Sequence, residues 1–174
     1  MDDKTKKENF EKLYNEIFPV VIKVSYHITK DMDAAQDVCQ DAFIKLYHRV
    51  ETFQTAEDAK YWLIRVVKNL SFNYLEHEKV KNRAFDKLKH APSSSDDTGE
   101  KELLKKEAVE KVNQALDQLP ENLKAPLVLR EFGGLNYKEI GAALKISESN
   151  VKIRIFRARE ALGKLLPVGE VYVP

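Results

Sequence analysis

Two helix starts lie so close together in the last third of the chain that few tertiary arrangements can accommodate both. Asn136 precedes Tyr137-Lys138-Glu139, a pattern in which the asparagine side chain accepts from first-turn amides while the glutamate reaches back to the cap backbone. The helix so started runs through Leu144. Ser147 offers a second N-cap three residues later, for a helix that can continue to Leu166. Two helices joined by so short a turn must cross at a steep angle, as in a helix-turn-helix. At 100° per residue, the second helix carries Val151, Ile155, Ala158, Leu162 and Leu165 on one stripe facing the protein. Ser149, Lys152, Ile153, Phe156, Arg157 and Glu160 lie opposite.

Ile153 and Phe156 are the telling residues of that outer face. A basic surface helix could spend Phe156 on a neighbouring element. The paired caps, the short turn and the ordered faces favour instead a helix in the major groove, its apolar side chains set against thymine methyls. Lys152, Arg154, Arg157, Arg159 and Lys164 then supply phosphate and base contacts. Charge agrees with this. The whole chain carries a formal net charge of only +1, but Asn136 to Leu166 holds seven Lys and Arg against three Glu, a local +4.

The rest of the chain reads as helical. Ala35, Val38, Cys39, Ala42, Phe43, Leu46 and Val50 recur at three- and four-residue steps, as do Leu63, Val66, Val67, Leu70 and Tyr74. An earlier helix, roughly Glu8 to Thr29, carries Phe10, Leu13, Ile17, Val20, Val21 and Val24 around Pro19, which can bend it. These stripes need one another, so the first half is expected to be a compact bundle. The run His90 to Glu102, with Pro, Gly and three serines, reads as a flexible linker. After it, a helix from Leu103 to Leu119 ends before Pro120, and another runs to Phe132, stopped by Gly133-Gly134. Pro126 falls inside that last helix, a conflict that a later helix start would remove. No segment has the alternation of a strand. The expected fold is all-α, two small helical domains joined by a flexible linker: residues 1–85, a linker at 86–103, and 104–174.

Chemistry of other kinds has little support. There is no Gly-rich phosphate loop and no Cys/His metal spacing, and the four histidines are scattered. The single cysteine, Cys39, falls on an apolar stripe, where a buried thiol behaves as a small hydrophobe. No cofactor, metal or catalytic activity is expected. The N-terminus has charges with no apolar core behind them, and no stretch approaches the ~20 apolar residues of a membrane span. A cytoplasmic protein without membrane insertion is expected.

On the third helix of the first half, Trp62, Arg65, Asn69, Asn73 and Glu76 share the face opposite the apolar stripe. Trp can stack on an unpaired base and Asn can pair with a base edge, although an ordinary hydrated face would also hold Arg, Asn and Glu. Here the sequence resembles the extracytoplasmic-function group of bacterial sigma factors, over nearly the whole chain. The segment Asp37 to Tyr47 resembles the family's core-polymerase-binding helix, and Tyr61 to Leu70 its minus-ten-reading helix. Leu119 to Phe132, Tyr137 to Gly141 and Arg154 to Leu162 resemble its minus-thirty-five domain. The resemblance implies that Asp37, Gln40, Asp41, Phe43 and Lys45 dock on core RNA polymerase. It implies that Asn69 and Asn73, with the loop Glu51 to Lys60, capture flipped bases of the melted minus-ten element, and Trp62 and Arg65 of the same face complete the expected minus-ten site. Lys152, Phe156 and Arg157 match the family's minus-thirty-five contacts, and with Ser149, Ile153, Arg154 and Arg159 of the same helix they make up the expected minus-thirty-five site. The implied partners are core polymerase, promoter DNA and an anti-sigma factor. Where the family often has an arginine run after its minus-ten helix, this chain reads Leu75-Glu76-His77-Glu78-Lys79. The alternative is an autonomous helix-turn-helix regulator with an N-terminal dimerisation or ligand domain, which should bind a palindromic duplex without polymerase.

Overall fold

The computed structural model describes residues 2–85 and 99–166, all of whose regular structure is helical. Helix α1 spans Asp3–Thr29, α2 Met32–Tyr47 and α3 Ala56–Phe85, with a 3-10 turn at Val50–Thr52 between the last two. Then follow α4 Glu100–Asp117, α5 Glu121–Glu131, α6 Tyr137–Leu144 and α7 Glu148–Leu165. The first three helices form one bundle around Leu13, Ile17, Val21, Cys39, Phe43, Leu46, Leu63 and Val67, all buried. The last four form another, around Leu116, Val128, Ile140, Val151, Ile155 and Leu162.

Local signals explain most of these bounds. Asp31 caps α2 by accepting from the Ala34 amide at 3.1 Å. Thr55 does the same for α3, accepting from the Asp58 amide at 3.1 Å. That cap starts α3 at Ala56, so the segment expected to be a loop from Glu51 to Lys60 is helical from residue 56 onward. Residues 100–103, expected to belong to the linker, are the first turn of α4. Of the remainder of that linker, Gly99 is the N-cap of α4 and 86–98 lies outside the described residues. Pro126 stays inside α5, which starts at Glu121 and not later. The carbonyl that loses its partner there belongs to Asn122, an exposed residue.

The two bundles pack against each other, α3 on α6 and α1 on α5. Ile64, Ser71 and Phe72, absent from the expected stripe of α3, are buried: Ser71 lies within the first bundle, its hydroxyl 2.8 Å from that of Ser25, and Phe72 meets Lys124 of the other bundle. The contact is unusually polar. Lys124 of α5 is 1% exposed, its ammonium 2.8 Å from Asp117 Oδ1 and 5.9 Å from the centre of the Phe72 ring. The His27 and Phe132 rings stack with centres 3.4 Å apart, and burial, aided by Lys30, holds the imidazole down to about 4. Lys30 donates to Asn113 at 2.8 Å, and burial lowers its ammonium to about 8. Lys68 pairs with Glu121 at 3.2 Å. Interfaces of such composition resemble those of separable domains rather than the interior of one.

Candidate nucleic-acid interface

The helix-turn-helix forms from the caps that announce it. Asn136 Oδ1 accepts from the Glu139 amide at 2.8 Å, and the Asn136 amide donates to Glu139 Oε2 at 2.8 Å. Ser147 Oγ accepts from the Asn150 amide at 3.1 Å. Between them, Lys145 closes α6 in the left-handed region at φ 56°, and the Ile146 amide returns to the Gly141 carbonyl at 3.0 Å. A Cβ at Gly141 would lie 2.8 Å from the Ile146 carbonyl oxygen, so this turn depends on glycine at its closest approach.

On α7, Val151, Ile155, Ala158 and Leu162 face inward as expected. Leu165 does not: it is exposed, and Leu166, at the break of the helix, is buried in its place. Ser149, Lys152, Ile153, Phe156 and Arg157 are all exposed, with Phe156 63% accessible. Ile153 and Phe156 flank a shallow groove of about 440 Å³ shared with Tyr137, Lys152 and Arg159. Tyr137 carries the Arg130 guanidinium 4.8 Å and the Lys152 ammonium 5.8 Å from its ring centre. Three of the expected contacts are held by the protein itself, Lys152 among them through Glu148 at 3.5 Å. Arg159 donates to Glu131 at 2.7 Å, which with its electrostatic attraction raises the guanidinium further above its ordinary range. Arg154 donates to Asn150 at 3.1 Å. The bond to Glu131 ties α7 to α5, and Ser149, Lys152, Ile153, Phe156 and Arg157 remain exposed on its outer face.

The face of α3 divides differently from the expected one. Asn69 and Asn73 are exposed. Trp62 is half-buried, its ring 5.4 Å from that of Phe53 and 5.1 Å from the Arg49 guanidinium, so its stacking surface is already engaged. Arg65 turns to the other bundle, donating through Nε to the Ala143 carbonyl at 2.8 Å and through Nη2 to that of Ala142 at 3.2 Å. Beside the turn preceding α3, a recess of about 400 Å³ opens between Val50, Phe53, Gln54 and the Leu13 side of α1.

On α2, Asp37, Gln40, Asp41 and Lys45 are exposed. Phe43 is not: at 4% exposure it packs on Phe10, Tyr14 and Phe18, and forms the floor of a groove of about 560 Å³. Its burial makes it a support for that surface, not an outer contact. Ile44 and Tyr47 line the groove with Gln36 and Gln40, and Ile44 is 51% exposed. Sequence reasoning passed over Ile44 and Tyr47, although an apolar residue on the polar face of a helix is the same signal that marks Ile153 and Phe156. Cys39 is fully buried, and burial pushes its thiol up to about 12, the state of a packing residue rather than a reactive one.

Comparison with other proteins places both bundles. Residues 13–80 match the model of sigma-70 region 2, and residues 110–162 that of sigma-70 region 4. The chain is 35% identical over 145 residues to the RNA polymerase sigma-H factor of Pseudomonas aeruginosa, covering 78% of this chain and 75% of that one. It is 36% identical over 142 residues to the ECF RNA polymerase sigma-E factor of Haemophilus influenzae, covering 76% and 75%. In structure it is similar to the sigma factor RpoE of Bartonella quintana, solved with the anti-sigma factor NepR. The TM-score is 0.65 at 20% identity, over 93% of this chain and 99% of that one. The region 2 match replaces the alternative reading of the first half as a dimerisation or ligand domain.

Proposed function

Because this chain belongs to the extracytoplasmic-function sigma factors of RNA polymerase, we propose that it binds core polymerase and directs it to promoters by reading two DNA elements. The observation that carries the reading is the outer face of α7, where Ile153 and Phe156 stand exposed beside Lys152 and Arg157 on a helix set by two caps. The first bundle, within residues 1–85, contacts core polymerase and the minus-ten element. The second, from α4 onward, contacts the minus-thirty-five element. The chain acts in the cytoplasm as a dissociable initiation subunit and performs no catalysis of its own. Among the described residues, no helix is long and apolar enough to cross a membrane.

The polymerase-facing surface is the exposed side of α2, with Asp37, Gln40, Asp41 and Lys45 around a groove floored by Phe43. Exposed apolar and aromatic side chains in a concave, well-packed setting are the usual anchors of a protein interface. Asn69 and Asn73 are the bases' partners on α3. Arg65 joins them only when it leaves Ala142 and Ala143, and Trp62 supports the face from within. Flipping a base costs a few kcal/mol in unstacking, which the recess beside the turn and the two asparagines must offset. An anti-sigma factor is a third partner, since the similar RpoE was solved with one.

Run-off transcription with core polymerase tests the whole reading. Promoter-specific transcripts should depend on this chain, and their absence on every candidate promoter, together with no binding to core, sinks it. A narrower outcome concerns base reading. Asn69→Ala should weaken opening at some promoters more than at others, by about 1–3 kcal/mol where the base is contacted. A uniform loss measured across promoters means that Asn69 is structural.

A further inference from the structure

Tyr137 opens α6, yet its side chain serves α7. The shallow groove on the outer side of α7 is lined by Lys152, Ile153, Ile155, Phe156 and Arg159, and Tyr137 is the one lining residue among those described that comes from outside that helix. Lys152, Phe156 and Arg159 follow one another at four- and three-residue steps, so they form a single row two turns, or ~10 Å, long. Tyr137 reaches both ends of the row. Its ring centre is 5.8 Å from the Lys152 ammonium, and its hydroxyl joins Glu131, the stronger partner, in raising the Arg159 guanidinium. A third cation fixes the ring itself. The Arg130 guanidinium lies 4.8 Å from the ring centre and donates to the Leu135 carbonyl at 3.0 Å. The start of α6 does not need this side chain, since Asn136 and Glu139 bond each other's amides.

We propose that Tyr137 is a positioning residue for minus-thirty-five binding: its ring, braced by Arg130, sets the Lys152 and Arg159 side chains to either side of Phe156 before DNA arrives, so that both meet phosphate while Phe156 meets a base. The proposal deepens the functional reading above and rests on it. Lysine and arginine lose side-chain freedom when a phosphate orders them, and that loss lowers affinity. A partner that orders them in the free protein removes part of it. A carboxylate does so by neutralising the cation, as Glu131 does for Arg159 at 2.7 Å and Glu148 for Lys152 at 3.5 Å, and must then release or share it. An aromatic ring has no net charge. It holds a cation by its negative face and leaves the whole charge for the phosphate. Tyr137 is half-buried and already packed, so it gives up little freedom of its own. Because phosphate contacts carry no sequence information, Tyr137 governs how tightly the element is held and not which sequence is chosen.

The test measures binding of the full chain, assembled with core polymerase, to a promoter that yields transcripts in the run-off assay. Tyr137→Leu should weaken binding by about three- to tenfold, and by the same factor when the minus-thirty-five sequence is varied. Tyr137→Phe, which keeps the ring, should stay within about twofold of the unmodified chain. In a Lys152→Ala background the factor for Tyr137→Leu should shrink by about twofold or more, because one of the side chains it sets is gone. Phenylalanines of increasing fluorination at position 137 keep the shape of the ring while draining its negative face. Relative to Tyr137→Phe, affinity should fall stepwise along that series while thermal melting stays level. A purely structural role would follow melting and ignore fluorine. If Tyr137→Leu does not fold, the fluorinated series decides alone. The proposal is overturned by unchanged affinity in a folded Tyr137→Leu chain, by an equal loss with and without Lys152, by indifference to fluorination, or by a loss confined to particular minus-thirty-five sequences. Absence of transcripts from every promoter with the unmodified chain would instead remove the functional reading beneath it.

Discussion

Gly141→Ala is expected to destabilise region 4 by about 1–3 kcal/mol, against the usual direction of a glycine-to-alanine change in a helix. Alanine gains as much as ~1 kcal/mol in helix propensity, so the sign depends on space. The new Cβ would stand 2.8 Å from the Ile146 carbonyl oxygen and 3.6 Å from the Glu148 nitrogen. Both are backbone atoms of the turn, and the first cannot withdraw without disturbing the Ile146 amide bond to Gly141. The clash therefore outweighs propensity, and the displaced turn tilts α7 away from its frame. Thermal melting should show the loss, at roughly 4–8 °C per kcal/mol for a domain of this size, and affinity for minus-thirty-five duplex should fall with it. Gly163→Ala is the control. Nothing lies within 4 Å of its Cβ, so it should melt at the same temperature or higher. Equal stability of the two variants contradicts the close approach at the turn.

Arg157→Ala should weaken binding to a minus-thirty-five duplex by about 1–3 kcal/mol, roughly 5- to 150-fold, with melting unchanged to within about 0.5 kcal/mol. Arg157 is exposed on the outer face of α7, so its removal takes away the proposed DNA contact and little packing. The affinity and melting measurements separate it from Arg159, whose bond to Glu131 ties α7 to the end of α5. An unchanged affinity for Arg157→Ala returns α7 to the status of a basic surface helix.

Much of this was legible in the sequence because it is local. The caps at Asn136 and Ser147 each act through residues three positions on. The outward placement of Lys152, Ile153, Phe156 and Arg157 follows from helical rotation alone. Leu165 was misplaced because the helix breaks at Leu166, where a turn of backbone changes which residue faces inward. Phe43 lies on the apolar stripe of α2 and is also one of the docking residues that the resemblance implies. The aromatic cluster of α1 settles the conflict by burying it.

Amino-acid order by itself determined the seven α-helices of the described residues, their grouping into two bundles and the outer face of α7, since periodicity and capping act within a turn or two of chain. Only the tertiary structure decided how the bundles meet. Arg65 reaches carbonyls 77 and 78 residues away, and Lys30 reaches a side chain 83 away. Nothing in the spacing of Trp62, Arg65, Asn69 and Asn73 separates the pair that stays exposed from the pair that is engaged. For Trp62 that division comes from Phe53 and Arg49 beside it, and for Arg65 from the carbonyls at the end of α6, which meet a guanidinium only once the fold has brought α3 beside them.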